Sequence, residues 1–398
     1  MSSVKKKVLI MAGYYIPSVK GGGPIQSIKN LVDNLSDKID FYIVAVDRDL
    51  GDNKPFENIK VDKWVEVGKA MVLYTNTSKL TWRKTTEVLN SVAYDVLYLN
   101  SFFAYKFSTV PILLWKLKKI QKIHKKKLVL APRGQFSSGA LGLKSSKKTL
   151  FIKVVRKIGL YNGITWHATA DTEKVDIERI FGDKTDIIVA NNLTANYEGF
   201  KFGKAIKKNK GELKIVFISR IHPKKNLKGA IEFLKSVKGK VEFNIYGPIE
   251  DKLYWSECKM AISELSPNIK VLYKGTVEHD EVINIFKQHH VFLFPTLGEN
   301  FGHVISEALI GGCPVIISNQ TPWRDLEKFQ AGWDIDLSDH NRFINVIQQC
   351  VELNEKEYQE LTLRAFEYGK KTSNINENIN NMLLIFKTDK KFGKCLKI

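Results

Sequence analysis

The stretch FLFPTLGENFGHVISEALIGGCPVIISNQTPWRDL, from Phe292 to Leu326, decides how this chain of 398 residues folds. With Val291 in front, it reads as a buried strand over Val291–Phe294, a tight turn containing Gly298, a helix from about Gly302 to Ile310, a second strand over Pro314–Ser318 and a new helix starting at Thr321-Pro322. Glu299 falls on the turn, and Glu307 lies eight residues later on the helix. Two carboxylates therefore flank one helix N-terminus.

A helix start leaves its first amides without intrahelical partners, and the aligned peptide dipoles add positive potential there. The amides of Phe301, Gly302 and His303, just after Asn300, would face outward and suit a diphosphate. Glu307 is placed to accept both hydroxyls of a ribose, and Glu299 to face a sugar beyond the phosphates. The ligand expected from this stretch is a nucleoside diphosphate sugar. The same letters also fit an ordinary strand-helix-strand unit with two solvated glutamates, so the spacing of the acids alone does not choose.

The register of Gly298, Asn300-Phe301-Gly302, Glu307-Ala308-Leu309 and Gly312-Cys313-Pro314-Val315 resembles the C-terminal motif of glycosyltransferase family 4. That resemblance implies an α/β chain of GT-B type: two facing Rossmann-like α/β/α domains with a cleft between them. It also implies sugar transfer with retention of anomeric configuration, with no cofactor and no metal ion. Glu299 is then expected to position the donor sugar and support its developing charge, and Glu307 to bind the ribose.

Upstream, Leu213–Ser219 predicts a strand, Arg220-Ile221-His222-Pro223-Lys224-Lys225-Asn226 a loop, and Leu227 the start of a helix. Arg220 offers a planar fork and Lys225 a point charge, and five residues apart both can close on one diphosphate. With 62 Lys and Arg in the chain, such a pair also arises by chance. The resemblance assigns Arg220 and Lys225 to the donor phosphates, with Lys224 as the alternative to Lys225.

At the N-terminus, Val8–Ala12 predicts a strand, GYYIPSVKGGGP a loop and Ile25–Leu35 a helix opened by Pro24. Gly21, Gly22 and Gly23 let backbone amides approach a phosphate or sugar, and Gly22 and Gly23 are donor-binding candidates. A flexible turn fits the same letters. The spacing is not GxGxxG, so no dinucleotide is implied. The apolar run is too short for a signal-peptide core, and no stretch approaches the ~20 apolar residues that cross a bilayer.

Short apolar runs at Phe41–Val46, Val72–Tyr74, Val96–Leu99, Leu128–Ala131, Ile164–His167 and Ile187–Ala190 predict a mainly parallel sheet in a first α/β domain. Asp47-Arg48-Asp49 is a D-x-D of the kind that holds a metal-nucleotide in another glycosyltransferase architecture, but nothing around it supports that role. Relatives carry a His at the strand end where this chain has Ala131-Pro132-Arg133-Gly134, and Arg133 is expected to contact the sugar or phosphate. His167, with Glu173 nearby, ends the next strand as either a structural or a reactive group.

Asn191–Gly211 loses apolar periodicity and marks a boundary. The expected divisions are an acceptor-binding domain over 1–195, a nucleotide-sugar-binding domain over 196–372, and over 373–398 a helix, Asn374–Phe386, returning to the first domain before a mobile tail, Lys387–Ile398. The second domain continues through strands at Phe243–Tyr246 and Val271–Tyr273.

The net charge is +20, and its distribution is uneven. Between Asp95 and Asp171 there is no acidic residue but fifteen Lys and Arg, including Lys122, Lys125 and Lys144. Two amphipathic helices fall here. Val110–His124 places Val110, Leu113, Leu114, Leu117 and Ile120 on one face; Leu150, Phe151, Val154, Val155 and Ile158 repeat the design, and both apolar faces are expected against the sheet. The lysines point to an anionic lipid surface or a lipid-pyrophosphate acceptor. With family 4 in view, the acceptor is expected to be a lipid-linked glycan of surface polysaccharide assembly, the donor UDP- or GDP-linked, and the location cytoplasmic, on the inner face of the membrane. A sugar-nucleotide epimerase on the same two-domain plan is the alternative. The charge alone would allow nucleic acid, but no recognition motif supports it. Cys258, Cys313, Cys350 and Cys395 show no zinc or disulfide spacing, as in a reducing compartment.

Overall fold

In a computed structural model, residues 5–121, 126–137, 140–141, 145–197, 199–203, 205–373 and 375–388 are described. The expectations for Lys122, His124, Lys125, Lys144, Cys395 and the tail beyond Thr388 lie outside the described residues. The chain divides into two compact units, one of Met1–Ala195 with Ile375–Ile398 and one of Asn196–Asn374.

In the first unit, β1 (Lys6–Gly13), β2 (Ile39–Val46), β3 (Trp64–Val67), β4 (Ala70–Thr75), β5 (Val96–Asn100), β6 (Lys127–Ala131), β7 (Thr165–Ala168) and β8 (Ile187–Val189) form one sheet in the order β3-β4-β2-β1-β5-β6-β7-β8. The strands are parallel except for β3, which pairs antiparallel with β4. Continuous apolar runs suit a sheet covered on both faces, because successive side chains point to opposite sides. Leu9, Met11, Leu97 and Leu99 pack on one face, and Val8, Ile10 and Tyr98 on the other. The C-terminal helix Ile375–Ile385 brings Met382 and Ile385, followed by Phe386, into that second face. The expectation missed β3, four residues with no fully buried side chain.

In the second unit, β9 (Glu212–Ile218), β10 (Lys240–Tyr246), β11 (Ile269–Gly275), β12 (Val291–Phe294), β13 (Val315–Ser318) and β14 (Gly332–Ile335) form a parallel sheet in the order β11-β10-β9-β12-β13-β14. The chain runs outward from β9 to β11, then crosses to β12 and runs outward the other way. Loops after β9 and β12 therefore leave the sheet in opposite directions, the switch point at which open α/β sheets bind ligands. In the first unit the same reversal lies between β1 and β5.

Three expectations need correction. No helix starts at Thr321-Pro322: Trp323 N–H donates to Thr321 Oγ1 at 3.2 Å, Asp325 takes a left-handed φ of 57°, and Trp323 and Leu326 are buried. The helix expected over Val110–His124 ends at Lys116, because Lys118 turns left-handed at φ 55°. The expected apolar faces are only partly covered. Ile152 and Val155 are buried, but Leu117, Leu150, Val154 and Ile158 are exposed.

Candidate functional site

Two loops at the switch point of the second unit carry the candidate site. After β9, His222 Nδ1 accepts from Lys224 N–H at 3.1 Å and opens a short 3₁₀ turn over Pro223–Lys225. Asn226 ends that turn in left-handed conformation and starts the helix Leu227–Leu234 by accepting from Gly229 N–H. Its amide donates to Pro295 O at 2.9 Å, and Leu297 N–H donates to Lys224 O at 2.8 Å. These bonds fasten the loop after β9 to the loop after β12.

The fastening places Lys225 Nζ 2.5 Å from Glu299 Oε1, with side chains 14 % and 13 % exposed. The buried Thr296 hydroxyl stands 3.1 Å from the same carboxylate oxygen, and Glu299 N–H donates to Gln320 O at 2.9 Å. Arg220 Nη1 pairs with Glu250 Oε2 at 2.7 Å, on the loop after β10. The two cations expected to share a diphosphate each hold a carboxylate here.

Beyond Glu299 and Asn300, Gly302 caps the helix His303–Ile310 with a left-handed φ of 79°. A Cβ on Gly302 would meet Ile305 Cδ1 at 2.9 Å, so glycine fits both the backbone and the space. Trp323 Nε1 donates to Phe301 O at 2.7 Å, and the Phe301 ring packs against His303 and Trp323. Glu307 is buried on the inner side of this helix, where burial pushes its carboxyl up to about 7. His279 Nδ1 lies 3.8 Å from Glu307 Oε1, and the Tyr197 hydroxyl, already hard to ionise because it is buried, also feels the Glu307 charge.

Gly22, Gly23 and Arg133 belong to the first unit. Gly22, with φ 66°, ends the loop that follows β1 and caps the helix Gly23–Leu35. Asp49 holds this loop, accepting from Ser18 Oγ at 2.5 Å, Val19 N–H at 2.9 Å and Lys20 N–H at 3.2 Å. Asp47 pairs with Arg48. Both acids of the D-x-D are thus engaged with protein groups, and among the described residues no cluster of three or more His, Cys, Asp or Glu is placed to hold a metal ion.

Arg133, itself left-handed at φ 60°, gives Nε to Asn100 Oδ1 at 2.6 Å, Nη2 to the Tyr98 hydroxyl at 2.9 Å and Nη1 to Asn192 Oδ1. The second hydrogens on its two terminal nitrogens are what remain for a ligand. His167 is fully buried between the Tyr98 hydroxyl and Ala190 O; burial, with the Arg133 charge, pulls it down to about 3, so the ring is neutral. Glu173 accepts from Gly134 N–H and Thr169 N–H. His167 and Glu173 therefore brace the strand ends.

Sequence reasoning missed Glu250, Thr296, His279 and the bracing role of Asp49. Glu250 had a usable signal: Gly247-Pro248-Ile249-Glu250 follows β10, next to β9 on the same edge of the sheet.

The comparisons with known proteins bear on the second unit's family and on the fold. The family model for glycosyl transferases group 1 matches residues 200–372. The fold is similar to that of sucrose-phosphate synthase from Thermosynechococcus elongatus over 96 % of this chain and 98 % of that one, with TM-score 0.67 and 14 % identity. HepE from Anabaena, solved with UDP and glucose, is similar over 96 % and 99 %, with TM-score 0.66 and 14 % identity. A glycosyltransferase from Rickettsia africae is similar over 97 % and 99 %, with TM-score 0.68 and 14 % identity. No curated protein matches the sequence. Two parallel α/β sheets with this likeness along nearly the whole chain define a GT-B-type fold. The match to the glycosyl transferases group 1 family lies in the second unit, over residues 200–372.

Proposed function

We propose that the protein transfers a sugar from a nucleoside diphosphate sugar to an acceptor hydroxyl with retention of configuration. The observation that carries this reading is the junction of the two switch-point loops, where Lys225, Glu299 and the helix start at His303 converge. The donor diphosphate lies against the first amides of that helix, with Arg220 and Lys225 closing on its oxygens. Glu307 takes the ribose hydroxyls, and Glu299 faces the donor sugar.

In the reaction the bond from the anomeric carbon to the phosphate oxygen breaks, and a bond from that carbon to the acceptor oxygen forms on the same face. The acceptor proton passes to the departing phosphate. Positive charge gathers on the sugar as the diphosphate gathers negative charge, so fixed cations and amides near the leaving group lower the barrier. Glu299 offsets the charge on the sugar while its ion pair holds Lys225 beside the phosphate.

UDP is the first nucleotide to test, since HepE was solved with it. The acceptor is assigned as a lipid-linked glycan in surface polysaccharide assembly, reached at the inner face of the cytoplasmic membrane, on the ground of the fifteen-cation segment. No described helix is long and apolar enough to cross a membrane. A thermal-shift panel of UDP, GDP and their sugars tests the donor. A rise in the unfolding midpoint with one nucleoside diphosphate and its sugars supports the assignment, and no rise with any of them removes it. Incubation with the sugar nucleotide alone then separates a transferase from an epimerase: conversion of the sugar without an acceptor would remove the transfer reading.

A further inference from the structure

The helix Ser145–Lys157 buries Ile152 and Val155 but leaves Leu150 64 %, Val154 49 % and Ile158 63 % exposed. Residues four apart lie one above the other, so these three make one apolar stripe along the outer side of the helix. Ile158 continues it because its N–H still donates to Val154 O at 3.1 Å. Exposed Lys153, Arg156 and Lys157 lie along one side of the stripe, exposed Lys147 stands one turn before Leu150, and no acid occurs anywhere between Asp95 and Asp171.

A second exposed group adjoins its C-terminal end. Lys116 Nζ donates to Asn162 O at 2.5 Å, which sets the end of the helix Val110–Lys116 beside the turn that follows Ile158. Leu117, 57 % exposed, and the exposed Lys118 and Lys119 come next in the chain. Apolar side chains within a rim of lysine thus recur at two neighbouring places on the first unit.

We propose that this surface docks on an anionic lipid bilayer, with Leu150, Val154 and Ile158 entering the acyl boundary and Lys147, Lys153 and Lys157 meeting the headgroups. A helix with an apolar stripe and a cationic border lies in the plane of such an interface. Charge complementarity selects this occupant. A second copy would bring an equally cationic rim against the first, and a nucleic acid would leave the apolar stripe in water. The proposal rests on the membrane reading above and names the surface that achieves it.

The test is co-sedimentation of the full chain with vesicles of phosphatidylcholine alone and of phosphatidylcholine mixed with phosphatidylglycerol. The wild type is expected to pellet with the mixed vesicles only, and less so at high salt. The triple change Leu150→Ser, Val154→Ser and Ile158→Ser should weaken partitioning about a hundredfold, since losing one inserted apolar side chain costs somewhat less than a factor of ten. The pair Lys153→Glu and Lys157→Glu should erase the preference for the mixed vesicles. Partitioning of the triple variant equal to wild type overturns the proposal, as does a wild type that ignores phosphatidylglycerol or a stripe that serves only to form dimers in sedimentation velocity. An unchanged thermal midpoint for the variants shows that they fold. The UDP-induced midpoint shift separates the two readings, because it reports the donor site whether or not vesicles are bound. Its absence from the wild type would remove the donor assignment while leaving the vesicle result standing.

Discussion

Lys225 Nζ and Glu299 Oε1 lie 2.5 Å apart although 74 positions separate them in the chain. The pair sits where two βα loops of one parallel sheet meet, and backbone bonds on either side hold those loops together. The ammonium proposed for the donor phosphates is thereby held against a single carboxylate. The carboxylate that holds it is the one proposed to face the donor sugar.

Lys225→Met should leave the Glu299 carboxylate mostly buried without its cation and cost roughly 1–3 kcal/mol of stability. Adding Glu299→Gln should return part of that loss while leaving transfer abolished. Denaturation of both single variants and the double variant supplies the coupling; strictly additive losses would show that the pair does not act as a unit.

Arg220→Ala removes the fork that Glu250 now holds. Affinity for UDP and for the UDP-sugar should both fall, by about tenfold to a hundredfold, the worth of one charge-assisted hydrogen bond. Arg220→Lys should recover only part, because an ammonium lacks the planar pair of donors. Titration calorimetry that finds unchanged affinity for Arg220→Ala would end the phosphate assignment.

Glu307 should make the second unit sensitive to pH. Its carboxyl is pushed by burial from an ordinary 4.5 to about 7. A raised carboxyl is neutral in the folded chain while the unfolded chain has already ionised, so its contribution is complete below about 4.5 and lost as pH rises through about 7. That difference corresponds to about 3 kcal/mol. Glu307→Gln should flatten this part of the stability profile between pH 5 and 8 relative to wild type. UDP affinity should rise with pH across the same window in wild type more than in the variant, since an ionised carboxylate accepts both ribose hydroxyls; parallel profiles would count against the ribose role.

The strands and the two decisive loops were legible because β12 and the second half of β9, Ile215–Ile218, are short apolar runs followed closely by Gly, Pro and charged residues. What joins those loops was not legible: the partners of Lys225 and Arg220 come from strands that become neighbours only through the order of the sheet. The helix Ser145–Lys157 failed for a different reason. Leu150, Phe151, Ile152, Val154, Val155 and Ile158 cover more than one side of a helix, and periodicity cannot say which side the sheet takes. Arg133 was located correctly at a strand end, but its engagement by Asn100, Asn192 and Tyr98 depends on a left-handed backbone that the letters Pro132-Arg133-Gly134 do not announce.

The C-terminal helix makes the middle of this chain an insertion. Because Met382, Ile385 and Phe386 fill the face of the first sheet that carries Val8 and Ile10, the polypeptide leaves that unit at Ala195 and re-enters it at Ile375. No single cut can release two complete halves: residues 196–374 take their whole interior with them, while a fragment ending at Ala195 waits for a segment supplied in trans. Synthesis on the ribosome meets the same constraint. The portion made first is the last that can be finished, and the inserted portion can close before it.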